Sequence, residues 1–356
     1  MRCKKNIMAM GAAALLFTYP LRAVTFNLIP EAGTPQFAID GFNAAANLWS
    51  SQLADNITVN IEIGFTSLGA NIIGETGSGF VETTYSQVTQ ALAAKRTSAD
   101  DFSSYAALPS GSSYNRLINH TSDNPNGPNS GTPYLDTMDR VAMTTANAKS
   151  LGLLAPSSSL DAIIRFSSDF SFDFNHNNVA PGKIDFIGVA AHEIGHALGF
   201  ISGVDDIDTL NGAYTGATFS SNLPDLFRYS AASLAQGAGV MDYTADPRDK
   251  FFSADGGLTQ VALFSDGINY GDGRQASHWK DDLGIGIMDP TAAYGEALNI
   301  SATDLRLFDV LGYTIAPAPE PATSALFSAS LLVWIGFRRW SRKHSSVLLT
   351  GGQSAK

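Results

Sequence analysis

Two histidines four positions apart constrain this chain more than any other feature of its sequence. They lie in His192-Glu193-Ile194-Gly195-His196, within residues 182–198, which we predict to form a helix. Residues four apart share one face of a helix, so both imidazoles can reach a single metal ion. Glu193 lies about 100° around the helix from His192, which suits a carboxylate that takes a proton beside that ion. The pattern therefore predicts a metal site with Glu193 as the general base.

A catalytic zinc site needs a third protein ligand, and the residues themselves leave several candidates. The first is His278, which stands in a Ser-His-Trp segment far downstream. The rivals are Asp205 and Asp206, which follow the predicted helix closely. His120 and His176 lie in polar, asparagine-containing loops, where we expect a histidine to be solvated and not to bind a metal.

Two segments of the chain resemble the leishmanolysin branch of the metzincin zinc peptidases. That branch has the pattern His-Glu-x-x-His-Ala-Leu-Gly-Phe, a long insertion, a Ser-His-Trp that carries the third ligand, and a methionine turn before a proline. This chain has the first pattern at 192–200, then Ser277-His278-Trp279, and then Gly286-Ile287-Met288-Asp289-Pro290. The resemblance covers residues 182–200 and 277–290.

The resemblance implies a role for five residues of this chain. Zinc would be held by His192, His196 and His278, with Glu193 as the general base and Met288 as the floor beneath the imidazoles. In the compact metzincin motif, a glycine three residues after the second histidine turns the chain, and a third histidine follows three residues later. Gly199 matches that glycine, but Ser202 occupies the histidine position, so the third ligand is expected from the Ser-His-Trp segment.

Both ends of the chain have the composition of targeting segments. Residues 1–23 begin with basic residues, continue with an apolar run and end at Ala23, which predicts a secretory signal peptide. At the other end, Pro319-Glu320-Pro321 precedes the uncharged run 322–337 and an arginine-rich cluster. This order, over residues 318–343, resembles the PEP-CTERM sorting signal of Gram-negative bacteria.

That second resemblance implies an exosortase-type processing enzyme as a partner and a transient anchor in the inner membrane. A transmembrane helix over 322–337 would span about 24 Å, less than the roughly 30 Å of a hydrocarbon core. The basic cluster and the short tail 344–356 are expected on the cytoplasmic side. We therefore predict export, transient anchoring, and a final location at the cell surface or outside the cell.

The charge balance argues against some classes of partner. The chain has 22 Lys and Arg against 33 Asp and Glu, a net charge of −11, so neither nucleic acid nor an anionic lipid surface is expected as the main partner. Its only cysteine is Cys3, inside the predicted signal peptide, which leaves His, Asp and Glu as metal ligands. An acidic secreted domain also suits Ca²⁺, which binds oxygen ligands, and we note it as an additional prediction.

We predict an α+β fold of the metzincin-like zincin kind for residues 24–317. Its N-terminal part, to about 199, would hold a twisted, mostly parallel sheet and the active-site helix, and residues 200–317 would form an irregular C-terminal subdomain. Apolar periodicity and turn residues place the elements: helices at 35–54, 83–95, 98–108 and 302–311, strands at 57–65 and 162–166, loop at 109–133, and loop-rich chain at 203–277. The strand at 162–166 is our candidate for the edge that would hold a peptide.

These predictions converge on a secreted zinc-dependent endopeptidase that acts on protein or peptide substrates. The alternative is a non-catalytic matrix or surface protein that uses a metalloprotease-like scaffold for binding. Glu193 separates the two hypotheses, because a binding module has no need for a base beside two metal ligands.

Overall fold

The computed structural model describes residues 23–317. The predicted sorting tail, with its run at 322–337, and the predicted signal peptide up to residue 22 lie outside the described residues. Within 23–317, no helix combines the length and the apolar character needed to cross a membrane. The described chain from residue 23 to Ile315 forms one compact unit.

The α+β class is confirmed, with eight helices and five sheets among the described residues. The strands are β1 (Thr25–Pro30), β2 (Thr58–Thr66), β3 (Gly74–Ser78), β4 (Phe80–Thr84), β5 (Tyr114–Ile118), β6 (Tyr134–Met138), β7 (Arg140–Thr144), β8 (Ala162–Ser167), β9 (Phe172–Asp173), β10 (Ile184–Asp185), β11 (Ser221–Asn222), β12 (Arg228–Tyr229), β13 (Met241–Tyr243), β14 (Lys250–Phe252) and β15 (Ala262–Phe264). The helices are α1 (Gln36–Ser50), α2 (Tyr85–Lys95), α3 (Ala99–Ala107), α4 (Thr145–Ser150), α5 (Phe186–Leu198), α6 (Val204–Leu210), α7 (Ala231–Leu234) and α8 (Ala302–Val310). Two 3-10 turns, Gly216–Thr218 and Leu223–Phe227, complete the set.

The main sheet has four strands in the order β1-β2-β8-β3. The pairs β1/β2 and β2/β8 are parallel, and β3 runs antiparallel to β8. The prediction of a mostly parallel sheet therefore agrees with the main sheet, in which two of the three strand pairs are parallel. The other strands form four sheets: β9/β10 is parallel, β12-β14-β15 is antiparallel, and β11-β7-β4 and β13-β5-β6 are mixed.

The predicted peptide-holding edge at 162–166 is wrong, although the strand itself is present as β8. β8 lies between β2 and β3, and its Ile164 and Phe166 are fully buried. The edge of the sheet on that side is β3. The sequence of β3, Gly-Glu-Thr-Gly-Ser, contains no apolar side chain, so it lacks the alternation that identifies a strand.

The remaining element predictions differ from the structure mainly at their boundaries. The predicted loop at 109–133 contains β5, a strand that sequence analysis missed because serines, glycines and asparagines surround it. The helix predicted from residue 182 begins at Phe186, because Gly182 has a positive φ of 76° and the short strand β10 comes first. The helix predicted over 302–311 is α8, which starts with a capping box between Ser301 and Asp304.

Two long helices, α1 and α5, pack against each other, and this packing holds α5, which carries the predicted metal ligands, on the sheet. Phe42 of α1 contacts both Phe166 of β8 and Phe186 of α5, with ring centroids 5.0 and 5.2 Å apart. Trp49 is fully buried, and its indole N–H donates to the carbonyl of Ala191 at 2.7 Å. Each such aromatic ring contributes roughly 1.5–3 kcal/mol by burial, so these contacts stabilise the packing of α5 on the core.

Candidate metal centre

Helix α5 supplies two of the three predicted ligands and the predicted base. Its apolar residues are almost all buried, while His192 and His196 are half-buried on the face that meets the cleft. The helix ends at Gly199, whose φ of 122° favours glycine. The Tyr313 hydroxyl donates to the carbonyl of Leu198 at 2.7 Å and so satisfies one of the last carbonyls of the helix.

The imidazole rings of His192, His196 and His278 converge, so that their three Nε2 atoms lie close together. The Nε2 atoms of His192 and His196 lie 3.0 Å apart, those of His196 and His278 3.2 Å, and those of His278 and His192 3.3 Å. Within 23–317 this is the one group of three or more potential ligand residues whose atoms all lie within 4.8 Å of one another. The structure therefore brings together all three residues that the sequence predicted as ligands.

The hydrogen bonds of the other ring nitrogens fix the tautomers. The Nδ1 atoms of His192, His196 and His278 lie 2.7, 2.7 and 3.2 Å from the carbonyl oxygens of Ile287, Phe200 and Gln275. A carbonyl only accepts, so each Nδ1 is assigned the proton and each Nε2 carries a lone pair. Three lone pairs directed at one point repel one another unless a cation lies between them.

Burial keeps the rings of His196 and His278 neutral, as ligation requires. Burial, followed by the nearby His192, lowers the pKa of His196 to about 3. Burial also lowers the pKa of His278 well below its usual value, with further contributions from His196 and His192. At neutral pH both rings are therefore unprotonated and able to bind a metal.

The geometry fits a zinc ion. Two ligands at about 2.0–2.1 Å from a tetrahedral zinc are about 3.3–3.4 Å apart, and the three observed separations of 3.0, 3.2 and 3.3 Å lie close to this value. The donor set of three imidazoles, each oriented by a carbonyl, is one that zinc accepts and that Ca²⁺, which binds oxygen, does not. A fourth position would face the cleft, since all three histidines line it.

Met288 lies directly beneath the ligand helix. A Cβ built on Gly195 would come within 2.4 Å of the Met288 sulfur, so the glycine between the two histidine turns makes room for that side chain. Met288 is fully buried, and its carbonyl accepts the backbone N–H of Trp279 at 2.9 Å. The methionine turn and the segment carrying His278 are thus joined beneath the imidazoles.

The rival ligands Asp205 and Asp206 do not join the metal cluster. Asp205 instead holds the segment that carries His278, because its carboxylate accepts the backbone N–H groups of Ala276 at 2.6 Å and Ser277 at 3.2 Å. It also accepts the Ser277 hydroxyl. Burial raises the pKa of Asp205 to about 6, against the lowering effect of these hydrogen bonds.

A second buried carboxylate, Asp304, fixes the methionine turn. It accepts the indole N–H of Trp279 at 2.8 Å and the backbone N–H of Ile287 at 2.9 Å. The same residue caps α8 by accepting the N–H of Ser301 at 2.7 Å. Gly286 permits this approach, since a Cβ there would lie 2.2 Å from the carboxylate.

The prediction that His120 and His176 are solvated is wrong. His120 is only 7% exposed and stacks on Tyr270 with ring centroids 3.6 Å apart. His176 is half-buried, and its Nδ1 lies 2.6 Å from a carboxylate oxygen of Asp185. Both rings found partners through tertiary contacts that their polar neighbours in sequence did not indicate.

Glu193 lies against the edge strand β3 beside the three imidazoles. Its carboxylate accepts the Thr76 hydroxyl at 2.6 Å. Burial raises the pKa of Glu193, while the proximity of His192 and the hydrogen bond from Thr76 lower it. The cleft in front of these groups has a volume of about 780 Å³ and is lined by β3, by α5 and by residues 289–292.

No protein-family model matches the chain, and neither the curated proteins nor the solved structures compared with it give a match. Its function is therefore inferred from the geometry of this site.

Sequence reasoning missed two residues that shape the site, Thr76 and Asp304, and considered a third, Asp205, only as a possible metal ligand. Thr76 lies in a strand without apolar residues, so nothing in the sequence indicated it. Asp205 was noticed as a possible ligand, and only the fold shows that it holds a loop. Asp304 stands three residues after Ser301, and that capping-box spacing predicts a helix start but not the bonds to Trp279 and Ile287.

Proposed function

We propose that this protein is a zinc-dependent endopeptidase. The observation that carries the proposal is the convergence of three imidazole Nε2 atoms, within 3.0–3.3 Å of one another, beside a buried glutamate in an open cleft. His192, His196 and His278 would hold the metal, and Glu193 would serve as the general base.

When bound, zinc supplies Lewis acidity, which lowers the pKa of a nearby water and polarises a peptide carbonyl. The residues of the chain do the rest. Glu193 accepts the proton of the attacking water at a carboxylate oxygen and then delivers it to the departing amine. The carbonyls of Ile287, Phe200 and Gln275 keep the proton of each imidazole on Nδ1, which leaves Nε2 free for the metal.

The edge of β3 suits an extended peptide as the substrate. β3 ends the main sheet and lines the cleft beside Glu193. An edge strand presents unpaired backbone N–H and C=O groups, and a peptide can add to them as a further strand. Such binding recognises the peptide backbone, which is the group that an endopeptidase must hold in place.

Further proposals concern the fold of the protein, its export and its location. We propose a metzincin-like fold of the leishmanolysin kind, which agrees with the Ser277-His278-Trp279 and Met288 placements around the centre. We also propose export by the signal peptide 1–23, transient inner-membrane anchoring through 318–343, and release by an exosortase-type enzyme to the surface or medium. Bound calcium remains a separate prediction.

The experiment is hydrolysis of a generic protein substrate with and without chelator. We expect activity that disappears with chelator and returns with zinc. Glu193→Ala and Glu193→Gln should abolish turnover while zinc content stays at the wild-type level, and Glu62→Gln on β2, outside the cleft, should leave activity unchanged. Zinc bound stoichiometrically without turnover in the wild-type protein would favour the matrix or surface binding protein instead, and full activity in Glu193→Gln would refute the assignment of the base.

A further inference from the structure

The edge strand β3 encloses the carboxylate of Glu193 on two sides. The Thr76 hydroxyl donates to Oε2 at 2.6 Å and also approaches the backbone carbonyl of Glu193 at 3.1 Å. A Cβ built on Gly74 would lie 3.1 Å from Oε1. In the part of the chain that the structure describes, Thr76 is the sole hydrogen-bond donor to this carboxylate.

The alternation of β3 explains why these residues reach Glu193. Successive side chains of a strand point to opposite faces, so positions 74, 76 and 78 share one face and positions 75 and 77 share the other. β3 packs directly against α5, and Gly74 and Thr76 are the two members of their face in contact with Glu193. A hydroxyl at 76 meets Oε2, and glycine at 74 leaves space beside Oε1.

We propose that Thr76 is a positioning residue for the general base, an inference that rests on the proposed peptidase function. By holding Oε2, the hydroxyl fixes the rotation of the carboxylate and leaves Oε1 as the oxygen available for proton transfer. Thr76 also belongs to the strand whose edge would receive the peptide. The same five-residue strand therefore sets both the orientation of the Glu193 carboxylate and the position of the peptide bond to be cleaved.

A purely structural role is the competing explanation, because the same bond fastens β3 to α5. The two roles differ in what they predict for the kinetic constants. A fastening bond affects folding and the binding edge, so its loss would raise KM or lower stability. A positioning bond acts on proton transfer, so its loss lowers kcat and leaves KM and zinc affinity in place.

The test compares Thr76→Val, which removes the hydroxyl at nearly constant shape, with Thr76→Ser, which keeps it. The typical free energy of a hydrogen bond to a charged group predicts a roughly 10- to 100-fold loss of kcat in Thr76→Val. KM and zinc affinity should stay within about twofold, and Thr76→Ser should retain most of kcat. The matched control is Thr137→Val, which removes an exposed hydroxyl bonded to Asn115 on a different sheet and should behave as wild type.

Wild-type kcat in Thr76→Val, or equal losses in the Val and Ser variants, would overturn the proposal. So would a rise in KM at constant kcat, since that result would assign the bond to fastening the strand.

A measurement on zinc-free protein separates this inference from the peptidase proposal. In urea unfolding, Thr76→Val should lower the midpoint in the wild-type background more than in a Glu193→Met background, where the acceptor is gone. Equal midpoint shifts in the two backgrounds would show that the side chains are uncoupled and would overturn the role of Thr76, whatever the enzyme does. If Glu193→Gln keeps full turnover, the base assignment itself fails.

Discussion

Asp205→Asn should weaken zinc binding without removing a zinc ligand. In the structure, Asp205 accepts the N–H groups of Ala276 and Ser277 and the Ser277 hydroxyl, and His278 is the next residue. The Ser277 hydroxyl oxygen in turn accepts the N–H of Ser202 at 2.8 Å. The third imidazole thus depends on a carboxylate located just after the helix that carries the other two.

The size of the effect follows from these bonds. An asparagine retains one carbonyl oxygen, which can still accept the N–H of Ala276, but its NH₂ group faces the donors of Ser277. Each buried donor left unsatisfied costs roughly 1–3 kcal/mol. Part of this cost falls on folding and part on the position of His278, and substitution of residues that orient a metal ligand typically weakens metal affinity about 10- to 100-fold. We therefore expect Asp205→Asn to lose about tenfold in zinc affinity and Asp205→Ala closer to a hundredfold.

The assay is competition with a chromophoric zinc chelator, on protein whose circular dichroism shows that it is folded. Asp206→Asn is the matched control, because Asp206 is adjacent in sequence and its carboxylate makes no hydrogen bond to residues 276–278. Wild-type zinc affinity in both Asp205 variants would refute the role assigned to this carboxylate. A loss of zinc in Asp206→Asn alone would show that the ligand set itself is wrong.

Three further predictions concern the metal, the packing beneath it and a distant ion pair. Zinc at a thousandfold excess over its dissociation constant should stabilise the wild-type protein by about 4 kcal/mol in thermal unfolding, and His278→Ala should lose most of that gain. Gly195→Ala should destabilise the protein by about 1–3 kcal/mol in urea, because its Cβ would lie 2.4 Å from the Met288 sulfur, and an unchanged midpoint would contradict this packing. Although burial acts against it, the hydrogen bonds from Arg248 and the charge of Lys250 lower the pKa of Asp246 to about 2. Since this lies below the unfolded value, ionised Asp246 stabilises the fold above about pH 4, and the effect, at most about 2 kcal/mol, fades as the pH falls toward 2. Asp246→Asn should flatten that part of the stability curve measured by unfolding at pH 2–7.

The cluster of three histidines could be predicted from sequence because its residues have strict spacing and chemistry. His192 and His196 are four apart on a helix, and His278 was singled out by its neighbours Ser277 and Trp279. The edge strand could not be predicted, because Gly74–Ser78 contains glycine and polar residues and gains its strand conformation by pairing with β8. Periodicity identifies strands that bury an apolar face, so it identified β8, and we therefore gave β8 the role of peptide-holding edge that we now propose for β3.

The many acidic residues also have a structural role that sequence analysis did not predict. Calcium binding stays an untested prediction, while several aspartates are buried and accept backbone N–H groups from irregular segments. Asp208, for example, accepts the N–H groups of Ile268, Asn269 and Tyr270 at 2.8–3.1 Å. Asp225 does the same for Gly203 and Asn222. Backbone donors in buried loops need acceptors, and these loops lack the regular ladders that would supply them.

Buried aspartates also hold together the segments that carry the three histidines and Met288. The third ligand lies far from the first two in sequence, in a part of the chain with only short strands and helices, and among the described residues there is no cysteine to join the segments covalently. Asp205 joins the His278 segment to the chain that follows α5, and Asp304 joins the methionine turn to α8. Because each carboxylate accepts two or more donors, its loss leaves several buried groups unsatisfied at once, which makes the placement of His278 cooperative. Two buried carboxylates thus have the role that disulfide bonds have in many secreted proteins: they hold distant segments together, and so they align the three imidazoles.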